Sequence, residues 1–399
     1  MESDNKLFLL DAYALIYRAY YAFIKNPRIN SKGFNTSAIL GFVNTLEEVL
    51  KKENPTHIGV AFDPAGPTFR HEAFEQYKAQ REETPEAIRL SVPIIKEIIR
   101  AYRIPILEVA GYEADDVIGT LATEAGRQGI ITYMMTPDKD YGQLVSDKVF
   151  MYRPKHTGGF EVMGVDEVKA KFDIQSPAQV IDMLGLMGDS SDNIPGCPGV
   201  GEKTAQKLIA EFGSIENLLE HTDQLKGALK TKVETNREMI TFSKFLATIK
   251  IDVPIQLDMD SLVREQADED SLRQIFEELE FRTLIDRVLK KENAGNGITT
   301  PTGNKTAAEK SNLAPLPLFP EEGGAVQGDL FANFTGNEPG EAKNSNLATL
   351  ETLNCDYQLI DTEEKRTKII QKLLTSKILS LDTETTGTEP MDAELVLSL

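Results

Sequence analysis

"GYEADDVIGTLATEAGRQGIITYMMTPDKD" (residues 111–140) is the stretch that decides the fold of this chain. Its first half, residues 113–129, opens with acids and then shows the apolar spacing of an amphipathic helix. Its second half, residues 131–140, is an apolar run of strand length that again ends in acids. A helix that leads into a short apolar strand is the repeating unit of a parallel α/β sheet.

The same unit recurs towards the N-terminus. "KLFLLDA" (6–12) and "HIGVAFD" (57–63) are apolar strands that reach an aspartate, and helical spacing fills residues 37–54 and 91–102. Apolar strands alternating with helices predict the α/β class, with a mostly parallel central sheet flanked by helices. From about residue 178 to 292 only helical spacing remains, which predicts a helical subdomain.

Carboxylates stand where the apolar runs end. The carboxyl ends of parallel strands share one edge of a sheet, so we expect these acids to meet there. The nine candidate metal ligands are Asp11, Asp63, Glu113, Asp115, Asp116, Asp138, Asp140, Asp189 and Asp192. A single aspartate at a strand end is as often an ordinary cap or turn former. Nine together predict bound cations, because carboxylates at that density repel one another.

The type of ligand limits which metal ions and which reactions are expected at this site. Ligands that are all oxygen favour Mg²⁺ or Mn²⁺. Two such ions about 3.5–4 Å apart are a common device for hydrolysing phosphodiesters. Four histidines and two cysteines without ligand spacing argue against zinc, and no histidine stands in a serine-hydrolase context.

Composition bounds the partners and the compartment. No apolar stretch of roughly 18 residues occurs, so we expect no membrane span. The polar N-terminus resembles no signal peptide, and the two distant cysteines predict unpaired thiols in a reducing cytoplasm. The net charge of −20 at face value disfavours nucleic acid as a partner. Roughly 8 of those charges lie beyond residue 292, however, so a basic patch elsewhere can still hold DNA.

"GCPGVGEKTAQKLIAEFG" (196–213) is a glycine-rich turn followed by a helical pattern. A Walker A loop needs glycine directly before its lysine, and Glu202 stands there instead. We therefore predict a helix–hairpin–helix, whose backbone N–H groups hold a DNA phosphate without reading sequence. An ordinary glycine turn is the alternative. The predicted DNA contacts are Gly199, Val200, Gly201, Lys203, Thr204 and Lys207.

"PTFRHEAFEQYKAQREETPEAIR" (67–89) is longer than a simple connection needs, and we predict a lid over the strand ends. Aromatic residues interleaved with basic ones suit a single nucleic-acid strand, because bases stack while cations hold phosphates. Arg70 is a predicted DNA contact, and Lys78 or Arg81 is placed to clamp the scissile phosphate. Taken alone, the stretch fits an amphipathic surface helix equally well.

Taken in order, five strings resemble the 5′–3′ exonuclease and flap-endonuclease family, in the form found at the N-terminus of bacterial DNA polymerase I. They are "LLDAYALIYRAYYA", "VAFDPAGPTFRHEAFEQYKAQRE", "GYEADDVIGTLA", "TPDKDYGQLV" and "GLMGDSSDNIPGCPGVGEKTAQKLI". The resemblance covers residues 5–290. It implies a PIN-like 5′-nuclease α/β catalytic domain at 1–175 with a helical arch at about 66–90, and a helix–hairpin–helix DNA-binding subdomain at 176–292.

The resemblance also assigns roles to the site residues. It implies two or more Mg²⁺ ions, and a K⁺ ion held by backbone carbonyls of the helix–hairpin–helix turn. Lys78 and Arg81 match the arch cations and Tyr77 the stacking aromatic. The first metal group is Asp11, Asp63, Glu113, Asp115 and Asp116. The second metal group is Asp138, Asp140, Asp189 and Asp192.

The implied substrates are DNA with a 5′ flap or nick and RNA–DNA primer junctions, cut by a monomer at the bacterial nucleoid. A DNA-binding module without catalysis is one alternative, although phosphate binding does not need nine carboxylates. A related metal-dependent ribonuclease is another, although the arch and the helix–hairpin–helix favour DNA junctions.

The C-terminal part carries a second resemblance. Residues 293–347 are rich in Gly, Pro, Asn, Thr and Ala and predict a flexible linker. After it, "ILSLDTETTGTEPMDAELV" (378–396) resembles the first motif of an RNase H-like 3′–5′ exonuclease, with Asp382 and Glu384 at metal positions. The other acidic motifs are missing, so we expect residues 348–399 to be an incomplete, inactive domain of a truncated polymerase. A poorly folded extension with exposed strand edges is the alternative.

Overall fold

The computed structural model describes residues 5–155 and 159–289, and in the C-terminal part residues 362–363, 365–368, 371, 384–385 and 395–396. The chain divides into two units, Met1–Thr335 and Gly336–Leu399. In the second unit, two short strands, Glu384–Thr385 and Leu395–Val396, pair antiparallel. The predicted linker, Cys355 and Asp382 lie outside the described residues.

The first unit is built on one six-stranded sheet. Its strands are β1 (Lys6–Asp11), β2 (His57–Ala61), β3 (Ile106–Leu107), β4 (Ile131–Met135), β5 (Val149–Pro154) and β6 (Phe160–Met163). Their order is β3-β2-β1-β4-β5-β6, and every neighbouring pair is parallel except β5 with β6. The prediction of a mostly parallel α/β sheet is confirmed.

Helices cover both faces of the sheet because side chains alternate along β1. Leu7 and Leu9 point into one core, and Phe8 and Leu10 into the other. The helices of this part are α1 (Ala12–Ala22), α2 (Ser37–Lys52), α3 (Phe69–Ala73), α4 (Glu86–Ala101), α5 (Ala114–Arg127) and α6 (Val165–Phe172). Residues of α2 and α4 share the core of Phe8, and residues of α5 share the core of Leu9.

The stretch 67–89 has little regular structure. It contains the short helix α3, then turns up to residue 81 and an extended piece before α4 begins. The alternative of one long amphipathic surface helix is therefore wrong.

The helical subdomain lies in the same unit. It consists of α7 (Gln179–Met187), α8 (Glu202–Phe212), α9 (Ile215–Glu220), α10 (Gly227–Thr235) and α11 (Arg237–Ala247). Two more helices follow, α12 (Glu269–Glu278) and α13 (Arg282–Leu289), and these pack on the sheet beside α2 and α4 instead. The structure thus places residues 269–289 with the α/β part, whereas helical spacing alone had grouped them with the subdomain. Within the described residues, no helix has both the length and the apolar composition that a membrane crossing needs.

Candidate active site

The ends of β1 and β2 carry two of the predicted acids. Asp11 is the last residue of β1, and its Oδ1 accepts from the N–H of Ala14, which caps α1. Its Oδ2 accepts from the hydroxyls of Thr136 and Tyr141, both at 3.2 Å. Asp63 follows β2 and accepts from the N–H of Ala114 at 2.7 Å. That bond ties the end of β2 to the first turn of α5.

A second set of acids sits at the beginning of α5. Glu113, Asp115 and Asp116 each offer a carboxylate oxygen, and these atoms lie within 4.8 Å of one another. Glu113 and Asp116 are buried, and Asp115 is partly exposed. Among the residues that the structure describes, this group is compact enough to hold a metal ion.

Asp138, Asp140, Asp189 and Asp192 complete the constellation. Asp138 follows β4 and caps the 3₁₀-helix that contains Asp140. Asp189 and Asp192 lie on the loop after α7, and Lys139 reaches Asp189 at 3.3 Å. The nine acids come from five separate chain segments and are linked by electrostatic interactions. Among the described residues, only Glu113, Asp115 and Asp116 form a group whose carboxylate oxygens all lie within 4.8 Å of one another. Asp11 feels the charges of Asp63 and Asp138, and Asp138 those of Asp189 and Asp192.

Arg70, predicted to contact DNA, is instead buried, with 1% of its side chain exposed. Its guanidinium binds Asp116 through two bonds of 2.8 Å and Glu113 through one of 2.9 Å. Its remaining donors bind the carbonyls of Leu246 and Thr248. Every guanidinium nitrogen thus points inward, so no donor is left for a phosphate on the surface. No local pattern indicated this burial, because arginine in a basic stretch is ordinarily exposed.

Two predicted arch cations contact the acids directly. The Nζ of Lys78 lies 2.6 Å from Glu113 Oε1 and 3.8 Å from Asp192 Oδ2. Arg81 pairs with the other oxygen of Asp192. Ion pairs of Lys78 and Arg81 therefore hold the lid against the acidic edge.

Tyr77, predicted as a stacking aromatic, is 3% exposed. Its hydroxyl is 3.0 Å from Glu113 and 3.1 Å from Asp192, and its ring meets His71 edge-on. A base cannot stack on a ring that is buried in this way. The residue contacts the acids through its hydroxyl instead.

Backbone contacts hold the lid to the loop after α7. The N–H of Lys78 donates to the carbonyl of Asp192, and Gln80 donates to that of Ser190. The side chain of Asn193 returns a bond to the carbonyl of Gln76. The sequence analysis missed these polar partners, because they are more than a hundred residues from the lid and no spacing links them.

The acids fall into two electrostatic classes. Burial, and then the neighbouring charges of Asp63 and Asp138, raise the pKa of Asp11 to about 7. Burial also raises the pKa of Asp63, Asp115, Asp138 and Asp140. By contrast the pKa of Glu113 and of Asp192 is lowered, because Lys78 with Arg70 or Arg81 more than offsets the effect of burial.

One carboxylate oxygen indicates whether a cation would fit at this edge of the sheet. The Oδ1 of Asp140 is buried and has no hydrogen-bond partner within the described residues. A buried carboxylate oxygen without a partner is costly unless a cation or a proton satisfies it. An all-carboxylate set with raised pKa values and an unsatisfied oxygen fits a hard divalent cation.

The predicted helix–hairpin–helix turn joins α7 to α8. Gly199 has φ +74°, a backbone conformation that suits glycine, and Gly201 caps the first turn of α8. Val200 is buried, so only its backbone is available to a ligand. Lys203 and Lys207 are exposed on α8, and Thr204 is partly exposed.

A further cation, missed in the sequence, lies at this turn. Lys232 of α10 brings its Nζ to 3.5 Å from the carbonyl of Gly199. It is 33 residues away along the chain, so no local motif could have associated it with the turn.

Family models match most of the described part of the chain. Residues 6–173 match "5'-3' exonuclease, N-terminal resolvase-like domain", and residues 175–270 match "5'-3' exonuclease, C-terminal SAM fold". This chain belongs to the 5′–3′ exonuclease family. The exonuclease family hydrolyses phosphodiester bonds, so the sequence prediction of a nuclease is confirmed.

Curated relatives of this exonuclease are DNA polymerases I. That of Bacillus caldotenax is 42% identical over 287 residues, which are 71% of this chain and 32% of the relative. That of Synechocystis is 33% identical over 408 residues, which span 98% of this chain and 41% of the relative. The chain thus spans a third to two-fifths of the length of these relatives.

Solved structures share the exonuclease fold. Bacteriophage T5 5′-exonuclease with bound zinc has a TM-score of 0.52 at 21% identity, covering 69% of this chain and 99% of that one. T5 D15 flap endonuclease in a pseudo-enzyme–product complex with DNA and metal ions has a TM-score of 0.51 at 22% identity, covering 69% of this chain and 100% of that one. At these identities the likeness shows the fold alone.

Proposed function

We propose that this chain is the 5′-nuclease part of a DNA polymerase I, which removes 5′ flaps and RNA primers by metal-dependent hydrolysis. The observation that carries the proposal is the acidic edge. Glu113, Asp115 and Asp116 form a group compact enough to hold a metal ion, and acids from four further segments are linked to it electrostatically. Within the described residues, a buried oxygen of Asp140 also has no hydrogen-bond partner. Binding DNA would not require so many buried acids, since phosphates are repelled by them.

The ions we propose are Mg²⁺ or Mn²⁺, two or more, held by the acids with raised pKa values together with Glu113 and Asp189. Ions bound there would supply the positive charge that helps to ionise the attacking water and stabilises the leaving oxygen. Asp11, Asp63 and Asp115 provide oxygens for one group. Asp138, Asp140 and Asp189 provide them for the other. Asp116 has both oxygens bonded to Arg70, so we assign it to holding Arg70 and Glu113 in place rather than to a metal.

In this proposal Lys78 and Arg81 leave their carboxylate partners and bind the scissile phosphate. Lys78 and Arg81 neutralise Glu113 and Asp192 in the present structure. Divalent ions would supply that positive charge, which frees the two side chains to bind the scissile phosphate. Tyr77 remains with them as the hydrogen-bond donor that orients Glu113 or Asp192.

The helix–hairpin–helix turn is proposed to hold the duplex. Backbone N–H groups at the start of α8, with Lys203, Lys207 and Lys232, provide positive potential on an otherwise acidic protein. A K⁺ ion at the carbonyls of Gly199 and its neighbours would compete with the Lys232 ammonium. Support for DNA with a 5′ flap comes from the similarly folded T5 D15 flap endonuclease, which was solved in complex with DNA and metal ions. A monomer that acts at the bacterial nucleoid is the simplest form of this proposal.

A double-flap DNA labelled at its 5′ end tests the function. The wild type is assayed with Mg²⁺ and with EDTA beside Asp115→Ala. Asp147→Ala, an exposed aspartate in a turn, is the matched control. We expect release of the flap by the wild type and the control with Mg²⁺ only, and its loss in Asp115→Ala.

Two outcomes would redirect the assignment. Tight flap binding without cleavage under Mg²⁺ or Mn²⁺ would leave a DNA-binding module. Preferential cleavage of single-stranded RNA over both a DNA flap and an RNA flap on the same junction would leave a ribonuclease.

A further inference from the structure

The segment that leaves α11, residues 246–250, is bonded by side chains from two different parts of the active site. We call it the strap. Its carbonyl and N–H groups alternate between two partners as the chain advances. Because α11 packs against α7, the strap is continuous with the helices that carry the helix–hairpin–helix turn.

On one side the partner is Arg70. Its Nε donates to the carbonyl of Leu246 at 2.9 Å, and its Nη2 donates to that of Thr248 at 2.8 Å. The same guanidinium holds Asp116 and Glu113, and the N–H of Lys250 donates to Asp116 at 2.8 Å. The acids at the start of α5 are thereby fixed to the strap.

On the other side the partner is Gln143, which is 9% exposed. Its Nε2 donates to the carbonyl of Ala247 at 3.1 Å, and its Oε1 accepts from the N–H of Ile249 at 2.9 Å. Gln143 belongs to the 3₁₀-helix Lys139–Leu144, which is capped by Asp138 and contains Asp140. Its amide therefore fixes the other acids to the same strap.

We propose that Gln143 is a positioning residue that, opposite Arg70, sets the separation of the two groups of metal-binding acids. The inference rests on the proposed two-group metal site. An amide has one donor and one acceptor side, which the strap satisfies at Ala247 and Ile249, as a neighbouring strand would. No other side-chain type of this size provides both at once, and the bonds are buried, so their loss moves the 3₁₀-helix relative to the strap.

Gln143→Met tests the inference, because methionine keeps the size and removes both bonds. Gln179→Met is the matched control: Gln179 also donates to a carbonyl, that of Gly213, and accepts from backbone N–H groups, but far from the acids. Mn²⁺ binding is measured by EPR and calorimetry on the full chain without DNA. Flap affinity in EDTA and single-turnover cleavage against Mn²⁺ concentration are measured beside it.

For Gln143→Met we expect Mn²⁺ affinity at one site to fall about 10- to 100-fold, as for other residues that orient metal ligands. The single-turnover rate constant falls with it, while flap affinity in EDTA stays within about 2-fold of the wild type. Gln179→Met keeps wild-type values in all three. Gln143→Asn, which keeps the amide donor and acceptor on a shorter side chain, gives a smaller loss and serves if the methionine variant does not fold.

Wild-type Mn²⁺ stoichiometry, affinity and cleavage in a folded Gln143 variant would overturn the inference. An equal loss in Gln179→Met would also overturn it, because the effect would then be general. If the wild type neither binds Mn²⁺ nor cuts the flap, the proposed function fails instead, so the two failures are distinguishable.

Discussion

Two groups of acids meet at the same edge of the sheet and behave in opposite ways. Glu113 is buried and Asp192 partly buried beside Lys78, and their pKa values are lowered. Asp11 is buried and Asp140 partly buried, neither forms an ion pair with a cation among the described residues, and their pKa values are raised. The residue type and burial are similar, so the difference comes from the lid. The protein neutralises Glu113 and Asp192 with its own cations and leaves Asp11 and Asp140 with raised pKa values.

The largest effect should come from Asp140, one of the acids with a raised pKa. Asp140→Asn removes a ligand charge, so we expect cleavage to fall by on the order of 10²- to 10³-fold. The same change removes an unpaired buried charge, so metal-free stability should rise. Flap cleavage with Mg²⁺ and thermal unfolding in EDTA measure the two. A lower melting temperature in EDTA for this variant would contradict the distinction between the groups.

The pH dependence of metal-free stability is the next effect. The folded-state pKa of Asp11, about 7, lies above the ordinary 3.8, so the folded protein binds more protons than the unfolded chain between these values. Its stabilising contribution is present below pH 3.8 and is lost as pH rises towards 7. At about 1.4 kcal/mol per pKa unit the loss is at most roughly 4 kcal/mol.

Denaturant unfolding in EDTA between pH 5 and pH 8 measures this loss, on the order of the linkage estimate. We expect Asp11→Asn to flatten the profile, and we expect Mg²⁺ to flatten it in the wild type. A profile that is equally steep in Asp11→Asn would show that other groups cause it.

A smaller effect on stability, opposite in sign, should come from Glu113, one of the acids with a lowered pKa. Glu113→Gln weakens the bonds to Arg70 and Lys78 and leaves Arg70 with less compensation, so stability in EDTA should fall by about 1–3 kcal/mol. Urea unfolding measures this beside Asp140→Asn. Equal signs for the two variants would remove the distinction between the groups.

The smallest effect should come from the lid cation itself. Lys78→Met removes the internal competitor for Glu113 and Asp192, so Mn²⁺ should bind several-fold tighter in the absence of DNA. Cleavage should nevertheless fall, because the proposed phosphate contact is lost. Calorimetry with Mn²⁺ and the flap assay separate the two, with Lys96→Met, whose ammonium pairs with Glu108, as the control. Unchanged or weaker Mn²⁺ binding in Lys78→Met would contradict the proposal that divalent ions take over from Lys78 at Glu113 and Asp192.

The sequence predicted the sheet and the acidic edge for local reasons. In β1, residues 7–10 are all apolar because both faces of the strand are buried, and the end of the strand is marked by Asp11. The glycine turn before α8 was equally visible, because Gly199 requires a positive φ. Patterns of this kind depend on neighbours in the chain, so they can be read without the fold.

The sequence misassigned residues whose partners are distant. Arg70 and Tyr77 stand in a basic, aromatic stretch that looks exposed, yet both are buried against Glu113. Helices α12 and α13 have the same spacing as the subdomain before them, yet they pack on the sheet. Helical spacing shows that a helix has an apolar face and does not show which core receives it.

The sequence by itself determined the α/β class, the presence of acids at the ends of the strands, the glycine turn and the family. Only the tertiary structure decided which acids are neutralised by Lys78, Arg81 and Arg70 and which have raised pKa values. It also decided that Gln143 and Arg70 share one strap. The physical reason is that charge pairing and burial depend on distances between segments that are tens to hundreds of residues apart, whereas periodicity and turn chemistry act within a few residues.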